Sequence, residues 1–241
     1  MGIKKNAGFT IIESILFLGV TGLIMSVLLV GIGSSLSRER YKDAVYSFQD
    51  YVQGQYNLVA NVNNSRNADD ICQGGTIIVG GTADAGRGTS DCTIVGRIIH
   101  SSANGESVDS AQVYATADVA GLSGDDVTVL QAANLAASPQ VDTYKMGWGT
   151  KLVNPRPTDA VSDFSILIVR MPTNGLIHTY MLTDQNKTAP ELVGNVIADP
   201  GLTLCVDNGG FSASGAGRVG VRISPDAINS SGVLFAEESQ C

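Results

Sequence analysis

Glu13 stands out chemically because it is a lone carboxylate at the head of a long apolar run. Residues 14–36 that follow it are 23 in number and carry no charge. An unpaired carboxylate at the start of a membrane helix costs on the order of a few kcal/mol, so such a group normally has a partner. Cutting the chain just before Phe9 would create a free amine close by. We expect that amine to neutralise Glu13.

The residues before Phe9 favour this cut. A short polar leader with Lys4 and Lys5 ends at Gly8, a small residue on the polar-to-apolar border. An ordinary secretory signal is cleaved after its apolar core, whereas here the small residue lies before the core. Cleavage after Gly8 would remove residues 1–8 and leave the apolar segment on the mature chain.

One continuous helix is predicted to carry these groups. Residues 9–36 are long and apolar enough to cross a bilayer, which requires about 20 residues, and the two leader lysines favour a cytoplasmic N-terminus. Residues 37–62 continue as an amphipathic helix, since apolar residues recur there at spacings of three and four. The predicted apolar stripe consists of Tyr41, Val45, Phe48, Val52, Tyr56, Val59 and Val62.

Residues 8–13, Gly-Phe-Thr-Ile-Ile-Glu, resemble the processing site of type IV prepilins and of the related pseudopilins of type II secretion systems. In that family a membrane peptidase cuts after the glycine and methylates the new N-terminus. The resemblance implies that Gly8 precedes the cut, that Phe9 is the methylated first residue and that Glu13 pairs with the amino terminus of a neighbouring subunit. Many family members have a proline within the apolar segment, which this chain lacks. The alternative is a plain single-pass anchor with an incidental glutamate.

Residues 63–241 are predicted to form one extracytoplasmic β-rich domain. The expected fold class is α+β, with the long N-terminal helix packed on an antiparallel sheet, and the resemblance makes it pilin-like. Four strands, at residues 164–171, 176–182, 202–206 and 219–223, are expected to form one antiparallel meander against the amphipathic half of the helix. Shorter strands are predicted at residues 76–79, 93–99 and 111–115, and a short helix at 127–135.

The chain has four cysteines, Cys72, Cys92, Cys205 and Cys241. An even number favours disulfides outside the cell, and three pairings are open. We prefer Cys72–Cys92 with Cys205–Cys241, because each closes the nearest loop, and a C-terminal disulfide loop also resembles many type IV pilins. The alternative is four free thiols.

Asp207-Asn208 is a weak candidate for calcium, suggested by pseudopilins that bind this ion near their C-terminal strands. It lacks the spaced oxygen ligands of a specific site, and no other cofactor is expected. Trp148, the single tryptophan, favours a core or interface anchor over a carbohydrate platform.

Catalytic motifs are missing from the sequence, so we expect no enzyme. A net charge of −8 disfavours general nucleic-acid binding.

The resemblance implies a pilin-like structural subunit of a type IV pilus, and the long ectodomain and missing proline favour a minor pilin. It would be a single-pass protein of the cytoplasmic membrane that then enters an extracellular filament. Its partners would be itself and other pilins, the prepilin peptidase, the assembly machinery and the membrane. The alternatives are a pseudopilin of a type II secretion system and a membrane-anchored, adhesin-like binding module.

Overall fold

The computed structural model describes residues 10–62, 71–73, 76–80, 92–117, 121–158, 160–207 and 217–241. The predicted processing residues Gly8 and Phe9 lie outside these ranges, as do the side chains of Val30, Ser34, Cys72 and Gln73.

A single helix, α1 (Ile11–Ala60), runs for 50 residues without interruption. It begins after Thr10, whose hydroxyl accepts a hydrogen bond from the Glu13 backbone N–H at 3.3 Å. This side-chain cap satisfies one of the donors that a helix start leaves open. The helix ends at Asn61, whose N–H donates to the Asn57 carbonyl. The predicted long helix is therefore confirmed over the residues described.

Eleven strands and two short helices follow in the described ranges. The helices are α2 (Asp126–Ala132) and α3 (Ala189–Leu192). The first strands are β1 (Ile71–Gln73), β2 (Thr76–Ile78), β3 (Thr93–Ser101), β4 (Ser107–Ala115), β5 (Leu135–Lys145) and β6 (Lys151–Val153). The later strands are β7 (Ser165–Arg170), β8 (Ile177–Leu182), β9 (Leu202–Asp207), β10 (Gly220–Ile223) and β11 (Val233–Ala236).

The strands form three antiparallel sheets. One has five strands in the order β5-β4-β3-β7-β8, one has four in the order β11-β10-β9-β6, and β1 pairs with β2 alone. The expected four-strand meander is therefore wrong, because β7 and β8 belong to the first sheet and β9 and β10 to the second. The connection between β8 and β9, which contains α3, carries the chain from one sheet to the other.

The larger core lies between α1 and both of the main sheets. Six residues of the predicted stripe, from Tyr41 to Val59, are buried there, while Val62 lies beyond the helix end and is exposed. Polar side chains of the same helix bond to the sheets. Gln49 and Gln53 donate to the Val233 carbonyl at 3.2 and 3.1 Å. The amphipathic half of α1 is thus an integral part of the domain.

A second core covers the opposite face of the five-stranded sheet, where α2 and α3 pack. In β7, Ile166 and Ile168 face α1, whereas Leu167 and Val169 face the second core. This strand is buried on both faces. Its central position and double cover explain its unbroken apolar sequence.

The predicted helix at 127–135 extends too far. α2 ends at Ala132, and Asn134 adopts a left-handed backbone with φ of 48°, after which Leu135 begins β5. Asparagine tolerates this conformation better than most residues. It therefore marks the turn from helix to strand.

Candidate functional site on the N-terminal helix

The first half of α1 presents apolar side chains to its surroundings on all sides. Its large hydrophobic residues with described side chains are between 47% and 80% exposed. They are Ile11, Ile12, Ile15, Leu16, Phe17, Leu18, Val20, Leu23, Ile24, Met25, Val27, Leu28, Leu29, Ile32 and Leu36. By length and composition this helix can cross a membrane, and its apolar segment takes no part in the domain core. A surface of this size needs cover from lipid or from other protein.

Two hydroxyl groups within this half donate hydrogen bonds to carbonyls of the helix itself. Thr21 donates to the Phe17 carbonyl at 2.8 Å, and Ser26 donates to the Gly22 carbonyl at 2.9 Å. Such internal bonds remove most of the penalty for placing these hydroxyls in hydrocarbon. The hydroxyls of Thr21 and Ser26 therefore do not oppose membrane insertion.

Among the described residues, none packs against the Cα atoms of the glycines in this segment. A Cβ atom added at Gly19, Gly22, Gly31 or Gly33 would meet nothing within 4 Å. The helix is nevertheless α-helical through all four positions. Small residues on a membrane helix allow a neighbouring helix to approach closely. Their surfaces are open to such a neighbour.

Glu13 lies in the first turn of α1, where the helix dipole stabilises a negative charge. Its carboxylate forms no hydrogen bond or ion pair with any residue that the structure describes. The next charged residue along the helix is Arg38, 25 positions later, or about 37 Å away at 1.5 Å per residue. A cation that neutralises Glu13 must therefore come from outside the described residues or from another molecule.

Tyr41 fixes α1 to the end of the four-stranded sheet, near the point where the apolar half stops. Its hydroxyl donates to the Val206 carbonyl at 2.9 Å and accepts from the Val219 N–H at 3.0 Å. Burial raises the pKa of Tyr41, an effect opposed by the backbone hydrogen bond from Val219. The neutral hydroxyl is thus maintained as a bridge between β9 and the residue that precedes β10.

Trp148 lies against the same part of α1, where its side chain contacts residues on either side of Tyr41 in the sequence. Its indole N–H donates to Asp43 at 2.9 Å, and the Arg40 guanidinium lies 4.8 Å from the ring centroid. The side chain remains 49% exposed, so the interpretation as a core residue is wrong. With φ of 59° the residue is also left-handed, which costs a bulky side chain about 1–3 kcal/mol. No pattern in the sequence signals this contact beyond the tryptophan itself and the glycines that flank it.

The C-terminus is closed by the Cys205–Cys241 disulfide, one of the two pairs preferred from the sequence. Cys241 is buried, and its carbonyl accepts from the Arg156 N–H at 3.1 Å. Cys92 is disulfide-bonded as well, whereas the side chain of Cys72 lies outside the described residues. Free thiols are therefore excluded for the cysteines whose side chains are described.

The weak calcium candidate has little support. Asp207 faces two cations, Lys151 at 3.8 Å and Arg218 at 3.6 Å, and Asn208 lies outside the described residues. No cluster of three or more metal-ligating side chains occurs among the residues described. The Asp207 carboxylate is already balanced by its neighbours.

No family model, curated protein or solved structure matches this chain. Any functional conclusion therefore depends on the residues and geometry of α1 and its domain.

Proposed function

We propose that this chain is a pilin-like structural subunit that assembles through α1 into a type IV pilus. The observation that carries the proposal is the two-part character of α1. One half packs in the domain core, and the other half is exposed and apolar. Glu13 lies in the first turn of the exposed half and has no partner among the described residues. Removal of residues 1–8 would leave that exposed half at the front of the mature chain.

In the membrane-resident state, the apolar half spans the cytoplasmic membrane. Before cleavage, Lys4 and Lys5 favour a cytoplasmic position for the N-terminus, and the β-rich domain faces outward. Lipid then covers the side chains that the domain leaves exposed, and the hydroxyl bonds of Thr21 and Ser26 make the segment compatible with hydrocarbon.

In the filament, the apolar halves of neighbouring subunits cover one another, so their surfaces pass from lipid to protein without entering water. Glu13 pairs with the amino group of Phe9 on an adjacent subunit. The pair matters chiefly because a single buried charge left without its partner is strongly destabilising. The pairing therefore selects the register in which subunits join.

Mass spectrometry of the native N-terminus tests the processing step. We expect the mature chain to begin at Phe9 and to carry one methyl group on its amine. Native protein that begins at Met1, or beyond Leu36, would leave Glu13 without the proposed partner, and the filament proposal would fail.

Substitution of Glu13 tests the pairing. We expect E13A to enter the membrane normally and to reduce filament yield at least about tenfold, since loss of a buried charge pair costs several kcal/mol and tenfold corresponds to about 1.4 kcal/mol. The matched control is E39A on the same helix, because Glu39 is exposed and its one ion pair with a described residue is to Lys42, at 3.6 Å. Equal yields from both variants would contradict the pairing role.

Imaging of cells with and without the gene defines the assembly. Surface filaments that disappear on deletion support a pilus subunit. Loss of protein export without loss of filaments would instead identify the chain as a secretion pseudopilin.

A further inference from the structure

Trp148 is held at the membrane-proximal end of the domain with part of its ring facing outward. The short turn Gly147–Gly149 carries it against α1. Hydrogen bonding to Asp43 satisfies its indole N–H, while Arg40 lies over the ring. About half of the side chain nevertheless stays accessible. The contact orients the indole without burying it.

The local backbone is built to present this side chain. Gly147 packs close to α1, since a Cβ atom there would lie 3.8 Å from Ala44. Gly149 has φ of 72°, and Trp148 between them is left-handed too. An aromatic residue rarely adopts this conformation, and here no burial in the core offsets it. The backbone strain at Trp148 thus occurs at an exposed side chain and not at a core residue. Strained backbone of this kind is common at functional positions.

The height of Trp148 along α1 corresponds to the lipid headgroups. Leu36 is the last exposed large apolar residue of the helix before the first cation, Arg38. Arg40 and Asp43 contact the indole. They lie about 6 Å and about 10 Å beyond Leu36 along the helix axis. The headgroup region is about 5–8 Å deep on each side of the hydrocarbon. The ring thus lies near the outer boundary of this layer, within the membrane–water interface where tryptophan is enriched in membrane proteins.

The charges at this level suit an anionic lipid surface. Glu39 contacts Lys42 at 3.6 Å, and Asp43 accepts the indole hydrogen bond. Arg38 and Arg40 form no ion pair with a described residue. Their guanidinium groups are therefore available to lipid phosphates.

We propose that Trp148 inserts among the headgroups of the membrane that α1 spans, with Arg38 and Arg40 on the lipid phosphates. This contact sets the height and tilt of the domain before assembly. It rests on the membrane-spanning part of the proposed function and does not depend on filament formation.

The single tryptophan makes the test direct. The full-length chain is reconstituted in vesicles of phosphatidylethanolamine and phosphatidylglycerol that contain lipids brominated near the headgroup or deep in the acyl chain. Two matched proteins carry W148F together with either L23W or L176W. Leu23 lies in the apolar half of α1, and Leu176 lies in the exposed β7–β8 turn. That turn is near the far end of α1, since Arg170 at the end of β7 donates to the Ala60 carbonyl at 3.5 Å.

We expect fluorescence of the wild-type chain to be quenched severalfold more by shallow than by deep bromine, with emission blue-shifted relative to the L176W protein. The L23W protein should show the reverse depth preference, and the L176W protein should respond only to aqueous acrylamide. The R38Q/R40Q variant should lose most of the shallow quenching.

Two failures can be distinguished. In the first, the wild-type chain behaves like the L176W protein while the L23W protein is quenched by deep bromine. This result would show that α1 spans the bilayer and would refute the insertion of Trp148 among the headgroups. If the L23W protein is not quenched either, the membrane-spanning part of the proposed function fails, and this inference fails with it.

Discussion

Replacing Phe48 with alanine should uncouple α1 from its domain. The ring is fully buried in the core shared by α1 and both main sheets. It also lies 6.2 Å from the ring of Tyr144, centroid to centroid. Among the side chains of α1 in this core, Phe48 is the largest that contains no polar atom.

The expected loss follows from the burial. Truncation of a buried phenylalanine to alanine costs about 3–5 kcal/mol, because transfer energy is lost and a cavity remains. A typical domain has a free energy of unfolding of about 5–15 kcal/mol. We therefore expect F48A to lower the free energy of unfolding by about 3–5 kcal/mol, a large fraction of the total.

The assay is denaturant unfolding of the full-length chain in detergent micelles, followed by the fluorescence of Trp148. F17A is the matched control, since Phe17 lies on the same helix and is 65% exposed. We expect F17A to leave the unfolding midpoint unchanged. If F48A cost less than about 0.5 kcal/mol, the range typical of surface substitutions, Phe48 would not be buried in the core as described.

Two further predictions concern the domain alone. Replacing both Cys205 and Cys241 with serine should lower the free energy of unfolding by about 4 kcal/mol by the loop-entropy relation, since they lie 36 residues apart. Burial raises the pKa of Tyr56 to about 12, so its contribution to stability is complete below pH 10 and is lost as the pH rises towards 12. Y56F should reduce this alkaline loss, at the expense of the hydrogen bond to Thr179.

Denaturant midpoints measured in parallel check both predictions. An unchanged midpoint for the double serine variant would exclude a stabilising role for the disulfide. The same slope of stability between pH 10 and 12 in wild type and Y56F would exclude Tyr56 as a contributor to the alkaline loss.

The long helix was accessible from the sequence because its two halves have different, strongly periodic patterns. The spacing from Tyr41 to Val59 identifies the buried face residue by residue. Val62 fits the same spacing but is exposed, because the helix ends at Ala60. Periodicity reports which face is apolar, and it does not report where the supporting domain stops.

The sheet arrangement was not accessible in the same way. Alternation in β9 and β10 predicts strands but contains no information on which strands pair, because pairing depends on contacts distant in sequence. The long strand β5 was missed for a local reason. It contains Pro139 and few large apolar residues, which its position at the edge of a sheet permits.

For the candidate site, Glu13 was recognisable because a charge beside a long apolar run is unusual at any position. The contacts of Trp148 with Arg40 and Asp43 join residues more than a hundred positions apart. A local sequence pattern therefore cannot predict them. The sequence shows that a tryptophan is present, and only the fold places it beside the membrane segment.

The unbroken course of α1 makes the angular position of its apolar half a fixed property of the whole molecule. Adding one residue between Leu36 and Tyr41 would rotate the front of the rod by about 100° and displace it by about 1.5 Å relative to the domain. Adding seven would nearly restore the original orientation, since seven residues make almost two full turns. Because α1 is continuous and its second half is packed in the domain core, a rotation of the apolar half about the helix axis must also rotate the domain.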